Sequence, residues 1–156
     1  MTAPLPLLHP ARIAATFFWV GHAPVAPGTW GSLAAVPFAW AMLAFGGWKL
    51  LAGGVIVVTL IGFWSSGTYS KALGWKDPGE VVIDEVAGQW LALLPAALDP
   101  VSFAIGFAAF RIFDITKPFP AGWADSKLDG AAGIMVDDLF AGVYAALMVL
   151  AYQHFV

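Results

Sequence analysis

Cysteine is absent from the 156 residues, and histidine is nearly so, with three scattered copies at His9, His22 and His154. The first absence excludes disulfides, thiolate zinc sites, iron–sulfur clusters and cysteine nucleophiles. Charge is scarce too. Asp, Glu, Lys and Arg make up 11% of the chain, against about 25% in an average soluble domain. Seven basic residues under a net charge of −3 speak against a nucleic-acid-binding surface. What remains is apolar: 60% hydrophobic residues, with 17 glycines besides. A chain of this length makes one domain, residues 1–156. That domain has a core but too few polar residues to cover it. Disorder does not fit such a composition, so a membrane-embedded protein is expected.

The few charges are clustered. Ile13 to Trp48 runs 36 positions without a formal charge, and Leu50 to Ser70 runs 21. Val86 to Leu98, Pro100 to Phe110 and Leu139 to Val156 are shorter uncharged runs of 13, 11 and 18. A helix crosses a bilayer in about 17–25 apolar residues. The pattern predicts spans near 33–48, 50–69, 83–98, 101–113 and 139–156. The pair around Asp99-Pro100 is short and reads equally as two spans, a helical hairpin or buried core helices. A secretory signal is not expected: Pro4, Pro6 and Pro10 interrupt the start, and the run after Arg12 meets Pro24 and Pro27 where a cleavage site would lie. Two charged segments, Lys71–Glu85 and Arg111–Asp138, fall on one side of the predicted spans together with Arg12. That side holds six of the seven basic residues, Lys49 being the exception. The positive-inside bias assigns it to the cytoplasm.

Acidic pairs stand at the edges of two apolar segments. Asp84-Glu85 precedes Gly88, and Asp137-Asp138 precedes Gly142. Asp84 with Gly88, and Asp138 with Gly142, are four apart and share a helix face. A glycine one turn from a carboxylate lets a backbone or ligand come close. Arg111, Asp114 and Lys117 form an i, i+3, i+6 stripe closed by Pro118 and Pro120. Unpaired carboxylates beside hydrocarbon are costly. An oxygen-bound divalent cation would relieve them, and a ligand set without sulfur favours Mg²⁺ or Mn²⁺. Acids at a helix start also complement the helix dipole, so both readings stand at this point.

Ahead of the first apolar run lies His22-Ala23-Pro24-Val25-Ala26-Pro27-Gly28-Thr29-Trp30-Gly31-Ser32. Pro-Gly marks a turn, and Thr29 or Ser32 suits a helix N-cap. Such a loop also faces anions. His22 is a candidate general acid, although a lone histidine is more often packed or solvated. Trp75, Phe119 and Trp123 read as interfacial anchors.

Three segments in order carry a resemblance: Pro24 to Ser32, Ile83 to Gly88, and Phe110-Arg111-Ile112-Phe113-Asp114-Ile115-Thr116-Lys117-Pro118 leading to Gly133 through Gly142. Together they resemble the phosphatidylglycerophosphatase A family of small bacterial membrane phosphatases. The resemblance implies an all-α bundle of apolar helices in the bacterial inner membrane, multi-pass, with its polar active-site segments on one side. It implies Mg²⁺-dependent hydrolysis of phosphatidylglycerophosphate to phosphatidylglycerol and inorganic phosphate, with Mn²⁺ as a substitute. By position it points to Asp84, Glu85, Asp114 and Asp138 as catalytic acids, and to Asp84, Glu85, Asp137 and Asp138 as metal ligands. Gly28, Thr29, Gly31, Ser32, Arg111 and Lys117 correspond to the phosphate-binding positions. His22-Ala23 and Asp129-Gly130 depart from the family's usual residues. Alternatives are a phosphatase of the same architecture for another lipid or a soluble phosphomonoester, and a non-enzymatic membrane module or ion-coupled transporter. The transporter predicts acids near the middle of spans. The Asp-x-Asp signature of haloacid-dehalogenase phosphatases and the histidine signature of type-2 phosphatidic acid phosphatases are missing.

Overall fold

The computed structural model describes residues 4–156, so the first three positions of the expected 1–156 domain lie outside the described residues. Among these residues every regular element is helical, as the resemblance implies. α1 (Pro10–Ala15) leads through a single 3-10 turn, Val20–His22, into α2 (Pro27–Leu73). α3 (Ile83–Leu93), α4 (Pro100–Thr116), α5 (Ala121–Lys127) and α6 (Gly130–Phe155) follow.

As one straight rod, α2 would measure about 70 Å at about 1.5 Å per residue. It does not run straight. Gly47 has φ 63° and ψ −165°, a region open essentially to glycine alone, and there the chain folds back. Met42 of the first arm lies against Gly54 of the second, and Ala39 and Leu51 share one buried cluster. Each arm, 27–46 and 48–73, is about 30–40 Å long, enough to cross the hydrocarbon of a bilayer. Two spans were expected here, with a break at Lys49. The break falls at Gly47 because the reversal needs a positive φ. The first arm also starts earlier than position 33. Pro27, with φ already fixed, opens the helix after a left-handed Ala26. Neither Thr29 nor Ser32 caps it: Ser32 Oγ donates back to Gly28 O at 3.0 Å, inside the helix.

α3 is the central element and packs on α2, α4 and α6. Val86, Ala87, Ala92 and Leu93 are fully buried there. α3 stops at Leu93, short of the expected 98: Leu94 still has right-handed helical backbone, but Pro95 has no N–H to continue the ladder. Asp99 then caps α4, its Oδ1 accepting from Val101 N–H and Ser102 N–H at 2.9 Å each. The short pair thus proves to be a buried core helix and a flanking one. α6 begins at Gly130, nine residues before the expected start, so Asp137 and Asp138 sit inside the helix. α3 and α6 cross where two glycines meet: a Cβ on Gly142 would lie 2.6 Å from Gly88 O. The glycines one turn from the acids therefore admit a backbone, not a ligand.

α2 closes on Gly74 in the left-handed region (φ 71°), with Trp75 N–H donating to Ser70 O at 3.2 Å. Val82 N–H donates to Ala15 O at 2.9 Å, tying α1 to the start of α3. Both ends of α2, the starts of α3 and α6 and the end of α4 gather at one end of the bundle. Gly47 and the 94–99 loop lie at the other. The outward faces of α2 and α6 leave Ile56, Leu60, Trp64, Leu147 and Leu150 exposed. Both helices are long and apolar enough to cross a membrane, and an exterior of this kind indicates membrane association.

Candidate active site

At the gathered end lies a cavity of about 220 Å³. Larger cavities of about 640 and 570 Å³ are walled mainly by apolar side chains, so chemistry rather than size selects the small one. Six carboxylates line it, those of Asp77, Asp84, Glu85, Asp114, Asp137 and Asp138, against two cations, Arg111 and Lys117. α3 contributes Asp84 and Glu85 from its first turn, where the helix dipole favours negative charge. α6 brings Asp138 across from its own first third, and the Gly88–Gly142 crossing holds the two helices close.

One oxygen each from Asp84, Glu85 and Asp138 lies within 4.8 Å of the others. At that separation a pair of like charges costs about 3 kcal/mol at an effective dielectric of about 20. Asp84 Oδ1, Glu85 Oε2 and Asp138 Oδ2 are buried without a hydrogen-bond partner. Three closely set carboxylates, each with one buried oxygen left without a partner, suit a hard divalent cation.

Asp137, adjacent in sequence, lies outside this trio. Its Oδ2 accepts from Lys117 Nζ at 2.6 Å, while Asp125 Oδ1 takes the same ammonium at 2.8 Å. Burial works to lower the Lys117 pKa, but the two carboxylates outweigh it and hold the ammonium above its ordinary value. Lys117 itself is the left-handed cap of α4, so the i, i+6 member of the stripe reaches the cavity from just past the helix. Arg111 Nη1 pairs with Asp114 Oδ2 at 2.5 Å and donates to Ser32 Oγ at 3.3 Å. Its Nε is buried with no partner, a donor left for an anion. Gly28 lines the cavity, and a side chain there would run into the Glu85 carboxylate.

Other expected positions fall elsewhere. Gly31 packs against Val82, and Thr29 is half-buried on the first turn of α2 without lining the cavity. Gly31 thereby serves the placement of α2 against the start of α3. His22 sits 3.3 Å from Glu80 and beside Arg12, away from the trio. Asp129 is exposed and pairs with Lys76. Trp75, Phe119 and Trp123 are exposed, as interfacial anchors are. Sequence reasoning passed over Asp77 and Asp125. Asp77 lines the cavity, and burial raises its carboxyl above the usual range against the pull of Lys117. The Asp77-Pro78-Gly79 turn ahead of Asp84 was the available signal for the first. For Asp125 there was none beyond its place in a charged segment.

Asp84 and Glu85 stand in the first turn of α3, whereas Asp137 and Asp138 lie about two turns inside α6, on the side of its N-terminal end. Carboxylates converging on a cation-sized gap, with a guanidinium and an ammonium beside them, define a helical, membrane-associated enzyme for phosphorylated substrates. Comparison with known proteins gives the family. The model of the phosphatidylglycerophosphatase A family matches residues 13–153. Phosphatidylglycerophosphatase A of Escherichia coli is 38% identical over 91% of this chain and 83% of its own length. The Haemophilus influenzae protein of the same name is 37% identical over 95% of this chain and 91% of its own length. A Bacteroides thetaiotaomicron protein, provisionally named a phosphatidylinositol-3-phosphatase, is 35% identical over 86% and 87%. No solved structure matches the chain. The chain belongs to the phosphatidylglycerophosphatase A family. It is a phosphatase, and the family implies a phosphorylated lipid as its substrate.

Proposed function

We propose that this protein hydrolyses the terminal phosphomonoester of phosphatidylglycerophosphate, giving phosphatidylglycerol and inorganic phosphate, in a Mg²⁺-dependent reaction. The observation that carries this is the trio Asp84, Glu85 and Asp138, drawn from two separate helices, with ligand oxygens within 4.8 Å of one another and one unpartnered oxygen on each side chain. Asp84, Glu85 and Asp138 hold the ion, and Mn²⁺ is a substitute. Bound there, Mg²⁺ supplies charge stabilisation for phosphoryl oxygens and an acidified water. Asp137 fixes Lys117 at the edge of the same gap, and Asp114 fixes Arg111.

Phosphoryl transfer demands positioning and electrostatics more than covalent chemistry. Arg111 offers its free Nε–H to a phosphoryl oxygen while Asp114 and Ser32 lock Nη1 in place. Lys117, held by two carboxylates, adds a point charge with one N–H to spare. Gly28 lets the start of α2 come against Glu85. An oxygen from water bonds to phosphorus, the bond from phosphorus to the glycerol oxygen breaks, and that oxygen leaves with a proton from water.

We further infer a single domain in the bacterial inner membrane. α2 crosses twice through its two arms, and α3, α4 and α6 complete the bundle. The site opens to the cytoplasm, supported by Arg12, Lys71, Lys76, Arg111, Lys117 and Lys127 lying at its end of the bundle. Substrate then arrives sideways from the inner leaflet. A second substrate in the same site, another phosphorylated lipid, is favoured by the Bacteroides relative.

The test is phosphate release from phosphatidylglycerophosphate by purified protein. Asp84→Asn and Asp138→Asn each abolish turnover while the protein still elutes as a folded species. Chelation stops the wild type and Mg²⁺ restores it. Near-normal turnover by either variant, or indifference to chelator, refutes the assignment.

A further inference from the structure

Next to the acid-lined cavity lies another, of about 230 Å³. Asp77 and Ile134 line both. Lys76, Asp125, Gly130 and Gly133 complete the outer one. A Cβ on Gly130 would meet nothing within 4 Å, so this side of the wall is open. The outer cavity is polar and carries no part in breaking the phosphate bond.

The cations around the two cavities are unequally committed. Arg111 is paired with Asp114, and Lys117 with Asp125 and Asp137. Lys76 has one partner, Asp129, at 3.3 Å, and the two side chains are 53% and 89% exposed. Such a pair contributes little in water, so Lys76 exchanges it for a better anion at small cost. The neighbouring Trp75 is 64% exposed, and tryptophan settles at headgroup depth. Lys76 is thereby held at the level where lipid phosphodiesters lie.

The substrate proposed above has two phosphates joined through a glycerol. Its terminal phosphate goes to the trio. Its phosphodiester stays with the acyl chains and must pass an inner cavity rich in negative charge. We propose that the outer cavity is a headgroup subsite, in which Lys76 binds the phosphodiester and Asp77 and Asp125 accept from the hydroxyl of the bridging glycerol. This rests on the phosphatidylglycerophosphatase reading and names the determinant of its headgroup specificity. Phosphatidate, whose monoester sits directly on the acylated glycerol, has no second phosphate to offer Lys76.

The experiment compares wild type, Lys76→Ala, Lys76→Glu, Lys76→Arg and Lys127→Ala in mixed micelles of a neutral detergent. Each is assayed on phosphatidylglycerophosphate and on phosphatidate. Lys127 is exposed on α5 and outside the cavity lining, so its variant reports any general effect of surface charge. A lost charge-assisted contact lowers kcat/KM on phosphatidylglycerophosphate about tenfold in Lys76→Ala, through KM with kcat held. Lys76→Glu falls further and Lys76→Arg stays near wild type. Lys127→Ala is unchanged, and the phosphatidate rate, whatever its size, is the same in Lys76→Ala as in wild type. An unchanged KM in Lys76→Ala, or an equal loss in Lys127→Ala, overturns the subsite while leaving the phosphatase reading intact. A wild type that releases no phosphate from phosphatidylglycerophosphate ends both, and that arm alone tells the two failures apart.

Discussion

Replacing Gly142 by alanine tests whether the helix crossing sets the catalytic geometry. The added Cβ would stand 2.6 Å from Gly88 O and 3.1 Å from Gly88 Cα, where ordinary contact begins at 3.4 Å. Both neighbours are backbone, so no side chain can swing aside. α3 and α6 must part by about 0.8 Å, and overpacking of this kind costs about 1–3 kcal/mol. The separation falls one turn from Asp84 on α3 and Asp138 on α6. Their oxygens already span up to 4.8 Å with Glu85, whereas opposite ligands of Mg²⁺ lie about 4 Å apart. Widening the gap therefore works directly against ion binding. A displacement near an ångström costs about a hundredfold in rate. Phosphate release against Mg²⁺ concentration should show a raised Mg²⁺ requirement and a rate down by about that factor. Gly106→Ala is the control. Its Cβ would stand 2.6 Å from Leu93 Cδ2, the tip of a flexible side chain, and away from the acids. It should keep its Mg²⁺ dependence even if Tm falls. Wild-type Mg²⁺ dependence and rate in Gly142→Ala would refute the coupling of crossing to site.

Arg111→Lys removes the fork that meets Asp114 and Ser32 together, along with the unpartnered Nε–H. Activity should drop about a hundredfold with Tm nearly unchanged; full activity would show that a point charge suffices. Lys117→Met strands Asp137, whose side chain is 6% exposed. It should destabilise by about 3–5 kcal/mol, and Lys117→Met with Asp137→Leu should recover most of the loss in Tm. Without recovery, the pair is not what Lys117 contributes to the fold. Gly47→Ala forces a side chain into a glycine conformation at the far end of the bundle. It should cost about 1–3 kcal/mol while the folded fraction keeps its specific activity in the phosphate assay. A selective loss of activity would mean that the reversal is felt at the acids.

Much of this molecule was legible in its residues, for physical reasons. Uncharged apolar runs of 18 residues or more match the length of membrane-crossing helices, so the arms of α2 and the body of α6 were visible. Adjacent acids beside such runs needed compensation, which pointed to Asp84, Glu85, Asp137 and Asp138 alike. Less legible was the division of labour within Asp137-Asp138. Neighbours on a helix point about 100° apart, so one faces α3 while the other meets Lys117, and only packing decides which. Charge spacing also misjudged where helices begin. α2 starts six residues before the span predicted from 33, and α6 nine before the one predicted from 139, because Pro27 and Gly130 set the backbone there. The left-handed Phe17, Phe18 and Trp19 carry no glycine to announce them; Thr16 Oγ1 accepts from Trp19 N–H at 3.1 Å, and Phe17 packs edge-on to Phe38. Asp77 and Asp125 escaped because they sit in loops and short helices, whose place in space depends on everything around them.

The gathering of every functional side chain at one end of the bundle has a kinetic corollary. A catalyst whose mouth lies flush with the plane of its substrates meets them by lateral diffusion. Its saturation is then governed by how many such molecules occupy each patch of bilayer, not by how many are present in the test tube. Adding inert lipid at constant total substrate should slow it, as crowding a dance floor with bystanders thins out the partners.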